Sequence, residues 1–173
     1  SLGNLVSGVA VTFTAPGSGA SGTFASGLTA TVVTDTGGIA TAPAFTANTV
    51  AGSYTVTASA SGVAAPASFS LMNVAGAATA VTATAGTPQS VAIDMAVATS
   101  LQVTVVDGYN NPVAGATVTF TAPGSGASGA FAGGVNTAVT NNQGVATAAV
   151  FTANAMAGSY TCLLYTSPSP RDR

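Results

Sequence analysis

The sequence predicts an all-β chain of two tandem β-sandwich domains, each incomplete, and three observations predict it. Apolar and polar residues alternate at period two through much of the chain. Turn residues recur roughly every 8–15 residues, the spacing of short antiparallel strands. One long block of sequence occurs twice.

The repeat decides the architecture. Val11-Thr12-Phe13-Thr14-Ala15-Pro16-Gly17-Ser18-Gly19-Ala20-Ser21-Gly22 recurs residue for residue at Val118–Gly129, 107 residues on (118 against 11). Phe45–Asn48 recurs at Phe151–Asn154 with an offset of 106, so one residue is lost in between, and Ala51–Thr55 then matches Ala157–Thr161. A period of about 106 is too long for a solenoid coil and suits one seven-strand sandwich. The first copy begins at the counterpart of Gly108, so the equivalent of about Ala78–Asp107 is expected to precede it in a longer natural protein. The second copy departs from the first after Thr161. This divides the chain into a sandwich lacking its first strands (1–73), a short linker (74–77), a sandwich lacking its last strand (78–161) and a tail foreign to the repeat (162–173). The tail holds the sole Cys and both basic residues, Arg171 and Arg173. It resembles the translation of a transposase-type sequencing adapter and is set aside from fold reasoning, so Cys162 says nothing about redox compartment.

Each element follows from its pattern. In Tyr54–Ala58, Phe69–Leu71, Leu101–Val105 and Val118–Ala122, alternate positions face a core and the Thr, Ser and Gln between them face water. Turns are expected at Gly17–Gly19, Asp35–Gly38, Gly86–Pro88, Asp107–Pro112 and Asn141–Gly144, with Gly38 and Gly144 at positive φ. Ser90–Ser100 has no Gly or Pro, but its Val and Ile content favours an extended path over a helix. The large core residues are expected to be Phe13, Phe24, Phe45 and Phe69 in the first copy, and Phe120, Phe131 and Phe151 in the second. Asp107 should cap its turn by accepting backbone N–H bonds, while Asn111-Pro112 directs the chain out extended.

The run Asp107-Gly108-Tyr109-Asn110-Asn111-Pro112-Val113-Ala114-Gly115-Ala116-Thr117-Val118-Thr119-Phe120 resembles the B–C corner of bacterial immunoglobulin-like domains of group 1, the invasin and intimin type. Gly144–Thr147 and Ala157–Thr161 look like that family's E-strand start and E–F corner. The resemblance runs to Thr161, with Leu5 standing where the second copy has Pro112. It implies an immunoglobulin-like sandwich, with Tyr54 and Tyr160 at the place of a tyrosine corner. There the hydroxyl would bond backbone upstream while the ring plugs the sandwich end.

Composition narrows the chemistry. Charged residues are 3% of the chain, and there is no His, Trp, Glu or Lys. Phosphate binding needs Lys and Arg, so nucleic acid and anionic membrane surfaces are not expected partners. No stretch is long and apolar enough for a spanning helix. Ser has no His or Lys beside which to become a nucleophile. Asp94 and Asp107 are the one acidic pair within a domain, and each is better explained as a turn residue. Gly17–Gly22 and Gly124–Gly129 lack the Lys and helix of a phosphate loop and are expected to be flexible connections. Calcium at a domain junction wants several carboxylates, and Asp107 offers one. The Thr12/Thr14 and Thr119/Thr121 pairs fall on the outer face of a twisted sheet, not on a flat ice-binding array. No cofactor, no metal site and no catalytic activity are expected. The expected role is a spacer in an extracellular, cell-surface adhesin-like array. Its partners would be neighbouring repeats, with any host or surface ligand held at a distal tip outside this chain. The rival is a glycan- or receptor-binding module using Tyr109.

Overall fold

The computed structural model describes residues 4–167, which form an all-β protein of antiparallel sheets. The chain parts between Val74 and Ala75 into two compact units. Gly76 already belongs to the second, its N–H bonding the Asp107 carboxylate at 2.9 Å, so the expected linker 74–77 shrinks to that one junction.

Unit 1 contains β1 (Ala10–Thr14), β2 (Gly22–Phe24), β3 (Thr29–Val33), β4 (Phe45–Ala47), β5 (Gly52–Ala60) and β6 (Ala67–Asn73). One sheet runs β3-β1-β5-β6, and β2 pairs with β4. Phe13 lies opposite Ala30 and Ala58, while Thr12 lies opposite Thr31 and Ser59. Directly opposed residues share a face, so period two sorts the sheet into an apolar inner face and a hydroxyl-bearing outer one. Phe13, Phe24, Ala30 and Val56 form the core.

Unit 2 contains β7 (Ala78–Ala85), β8 (Gln102–Asp107), β9 (Thr117–Thr121), β10 (Gly129–Phe131), β11 (Thr137–Val139), β12 (Val145–Thr147), β13 (Phe151–Ala153) and β14 (Leu163–Ser167). There are two three-stranded sheets, β12-β8-β7 and β11-β9-β14, and a separate pair, β10-β13. Val103 and Val105 come from one sheet, Val118 and Phe120 from the other, and they meet with Phe131 and Phe151 in a single core. That is a sandwich filled by the alternation read from the sequence.

The two copies show how far a partner strand decides local structure. Val145–Thr147 is a strand because it pairs with β8, whereas its counterpart Ile39–Thr41 has no such neighbour and forms none. Gly52–Val56 is strand through its pairing with β6, but the matching residues 158–162 are not. The same residue types take ladder geometry only where the ladder exists.

Three expectations change. Residues 162–167 are part of the fold: β14 pairs with β9, Leu164 opposite Phe120, in the register in which Ala58 opposes Phe13. Cys162 and Leu164 pack on the core while Leu163 and Tyr165 stay exposed, so this segment meets the alternation a strand requires. The place beside β9 where a last strand was expected to be missing is therefore filled; residues 168–173 of the expected tail lie outside the described residues. Phe69 is 47% exposed rather than buried, although its ring lies 6.1 Å from that of Phe13, because β6 is the edge strand of its sheet. Ser90–Ser100 is neither helix nor continuous strand. It turns at Asp94 and then runs antiparallel beside β13, through the bridge Ala96 to Thr152 and bonds from Val97 N–H to the Phe151 carbonyl, from Ala153 N–H to the Met95 carbonyl and from Asp94 N–H to the Asn154 carbonyl.

Candidate functional site

The polar centre of unit 2 is the corner after β8. The chain must reverse over Gly108–Asn110, and Asn110 does so with φ +64. Asp107 is buried there among donors. Its carboxylate accepts the N–H groups of Gly76, Tyr109 and Asn111, each at 2.9 Å, and the Asn111 amide at 2.9 Å. Pro112 then bridges to Val106, which sets the exit into the next segment. Burial alone would raise the Asp107 pKa; the bonds from the Asn111 side chain and from the N–H groups of Gly76, Asn111 and Tyr109 outweigh it and lower it from 3.8 to about 2.

That geometry occupies the Asp107 carboxylate with donors of its own unit. Its oxygens face N–H groups, which a Ca²⁺ ion would have to displace. Among the described residues no three acidic, Cys or His side chains gather as metal ligands. Asp94 sits in a left-handed turn, φ +59, its N–H on the Asn154 carbonyl.

The folded pKa lies below the unfolded one, so the unfolded chain binds the extra proton as the solution is acidified. Stability from Asp107 is complete above about pH 5 and lost as pH falls through 3.8 towards 2. We expect unit 2 to lose about 1–2 kcal/mol between pH 6 and pH 2.5, after allowance for solvent screening. Urea unfolding of the wild type and Asp107→Asn at the two pH values measures it; an equal loss in the variant would remove Asp107 as the cause.

The second feature occurs in both copies. Asp35 Oδ1 accepts the N–H groups of Gly37 and Ile39, and Asn141 Oδ1 accepts those of Gln143 and Val145. Gly38 and Gly144 both have φ +72, as the sequence predicts, and each packs closely on the preceding corner, Gly38 on Leu5 and Val6, Gly144 on Pro112. Leu5 thus occupies the place of Pro112 in unit 1.

The tyrosines do half of what was expected. Rings form a continuous series in each copy: Phe13–Phe24–Phe45–Tyr54 at 6.4, 4.8 and 6.2 Å, and Phe120–Phe131–Phe151–Tyr160 at 6.1, 4.9 and 6.1 Å. Tyr54 and Tyr160 do close the apolar stack. Their hydroxyls make no hydrogen bond to upstream backbone among the described residues, and no buried side-chain polar atom there lacks a partner, so these groups reach solvent. Burial still pushes the Tyr160 phenol pKa up, with Cys162 adding to it.

Side-chain hydrogen bonds tie down the Gly-rich loops expected to be flexible connections. Asn48 Oδ1 accepts the N–H of Ser21 and of Val50 while Nδ2 donates to the Gly19 carbonyl, and Asn154 repeats this with Ser128, Met156 and Gly126. Ser21 and Ser128 hydroxyls donate to the carbonyls of Pro16 and Pro123. In unit 1, Asn73 adds three bonds, to Ser21, Asn48 and Val50. The sequence reading does not single out these asparagines, although for Asn48 and Asn154 the recurrence of Phe-Thr-Ala-Asn is the available signal. The loop at Pro123–Ala130 borders an open, shallow depression. Tyr109 projects from the Asp107 corner, 68% exposed.

No helix among the described residues is long and apolar enough to cross a membrane. No protein-family model matches the chain, and neither a curated protein nor a solved structure matches it.

Proposed function

We propose that each unit is an immunoglobulin-like spacer of the invasin and intimin type, one link in an extracellular array on a bacterial surface, without catalysis. One observation supports this reading above the rest: both copies use the same polar side chains for the same task, fixing loops to the sandwich, with the buried hydroxyls of Ser21 and Ser128 bonded to the carbonyls of Pro16 and Pro123. Asp107, Asn48 and Asn154 have their oxygens occupied by N–H donors of this chain. The outer sheet faces are neutral, carrying Thr12, Thr31 and Ser59 rather than charge. With Arg171 the first basic residue, a trypsin-like protease finds no Lys or Arg across 1–170. Such a module resists extension by loading lateral hydrogen bonds.

Single-molecule stretching of the full chain tests the mechanical role. Unit 2 should unfold as one event releasing roughly 30 nm of chain. Gradual lengthening without a resolved event would count against a load-bearing spacer. Glycan and receptor-ectodomain arrays test the rival; binding that disappears in Tyr109→Ala would replace the spacer by a recognition module.

A further inference from the structure

The two copies differ in one respect that identifies an interaction surface. In unit 2, β8 covers the ends of the core, and Val113 and Phe151 are 4% and 1% exposed. In unit 1 the counterpart Val6 is 59% exposed, Phe45 is half-buried, and Ile39 and Leu5 are exposed beside them. Ala146 is fully buried against β8, whereas Ala40 is half-buried. The backbone shows the same contrast. The Gly144 carbonyl accepts the Val105 N–H at 2.8 Å, and the Ala148 N–H donates to the Leu101 carbonyl at 2.9 Å. Among the described residues the matching groups, the Gly38 carbonyl and the Ala42 N–H, have no such partner.

We infer that this face of unit 1 is a docking surface for a donor hairpin with the sequence of Ala78–Asp107, added beside Ile39–Thr41. Unit 2 supplies the register: Val145, Ala146 and Thr147 lie opposite Thr104, Val103 and Gln102. In unit 1 the donor therefore places Thr104 opposite Ile39, Val103 opposite Ala40 and Gln102 opposite Thr41. Val103 and Val105 then enter the space above Phe13 and Phe45, as they do above Phe120 and Phe151. Main-chain bonds provide affinity and the alternating valines provide selectivity. A second copy is a poor donor, because withdrawing its own hairpin opens one sandwich for each one closed. The partner is an extended segment of this sequence not already held in a sandwich. The inference rests on the repeat and stands independently of the spacer role.

The probe is a synthetic peptide of residues 78–107 added to the full chain, read by amide hydrogen exchange. Protection should rise at least ~10-fold at Ile39–Ala42 and nowhere in unit 2. A peptide carrying Val103→Asp and Val105→Asp should give no protection, one carrying Thr104→Ser should act like the parent, and Ala40→Glu in the chain should abolish binding. Absence of protection with the parent peptide, or equal protection by the Asp variant, overturns the proposal. So does a chain that self-associates with Ile39–Ala42 already protected before peptide is added, since a second copy would then be the occupant.

Discussion

Phe151→Ala should destabilise unit 2 by about 3–5 kcal/mol, and Phe45→Ala, the same change at the same repeat position, should cost unit 1 roughly half as much. The reason is cover rather than chemistry. Phe151 is 1% exposed and lies 4.9 Å from Phe131 and 6.1 Å from Tyr160, with Val103 and Val105 of the facing sheet in the same core. Removing its ring loses the transfer free energy and leaves a void that a strand pair fixed by hydrogen bonds cannot collapse into. Phe45 has the corresponding ring neighbours at 4.8 and 6.2 Å but is only half-buried, so solvent already reaches the space its loss would open. Hydrogen exchange under increasing urea, followed separately on β9 and β1, gives both numbers from one chain. Equal costs at the two positions would mean that the facing sheet contributes nothing to the aromatic stack, and the docking surface inferred for unit 1 would lose its energetic basis.

How much of this was legible beforehand varies by residue in a physically ordered way. Side-chain period was enough to orient Val103, Val105, Val118 and Phe120, because strand geometry alone fixes which face a residue occupies. Turn chemistry was enough to place Asp107, Gly38 and Gly144, since the turn bonds of Asp107 and the positive φ of the glycines are local, whereas the Gly76 bond to Asp107 and the packing of the glycines on Leu5 and Pro112 are not. Phe69 failed because its exposure depends on the place of β6 at the sheet edge, not on the pattern within its own strand. Leu163–Ser167 failed for the opposite reason: an unrelated segment was discounted for its origin, although one inward Leu between two outward residues is all that a place beside β9 demands. Asn48 and Asn154 were passed over because a lone Asn in a loop carries no local pattern; their bonds reach back 27 and 26 residues to Ser21 and Ser128. The candidate site was thus readable where it is local and opaque where it is assembled across strands.

Gly129 is the sharpest case of that kind, and Gly129→Ala should cost unit 2 about 3 kcal/mol. Nothing in its backbone conformation demands glycine, for its φ is not positive. The demand is spatial. Gly129 pairs with Ala153, and the Phe151 ring from that strand folds diagonally across the bare α-carbon, so an added methyl would overlap the Thr152 carbonyl oxygen and stand 2.6 Å from the ring. The glycine therefore lets one aromatic serve both strands of the pair and still reach the core. An alanine forces a choice between opening β10 from β13 and expelling Phe151, and the second loses the burial just described. Gly126, in the same loop, provides the contrast: its φ is +76 but nothing lies within 4 Å of an added methyl, so Gly126→Ala should cost only about 1 kcal/mol, the strain of a left-handed alanine. Gly22→Ala should fall between them: the added methyl meets the Thr46 carbonyl oxygen as at Gly129, but the ring it also meets, Phe45, is half-buried and can swing towards solvent. Urea midpoints of the three variants order the effects, and a Gly126 cost equal to or above that of Gly129 would show that backbone conformation, rather than the ring lying on the glycine, sets the requirement.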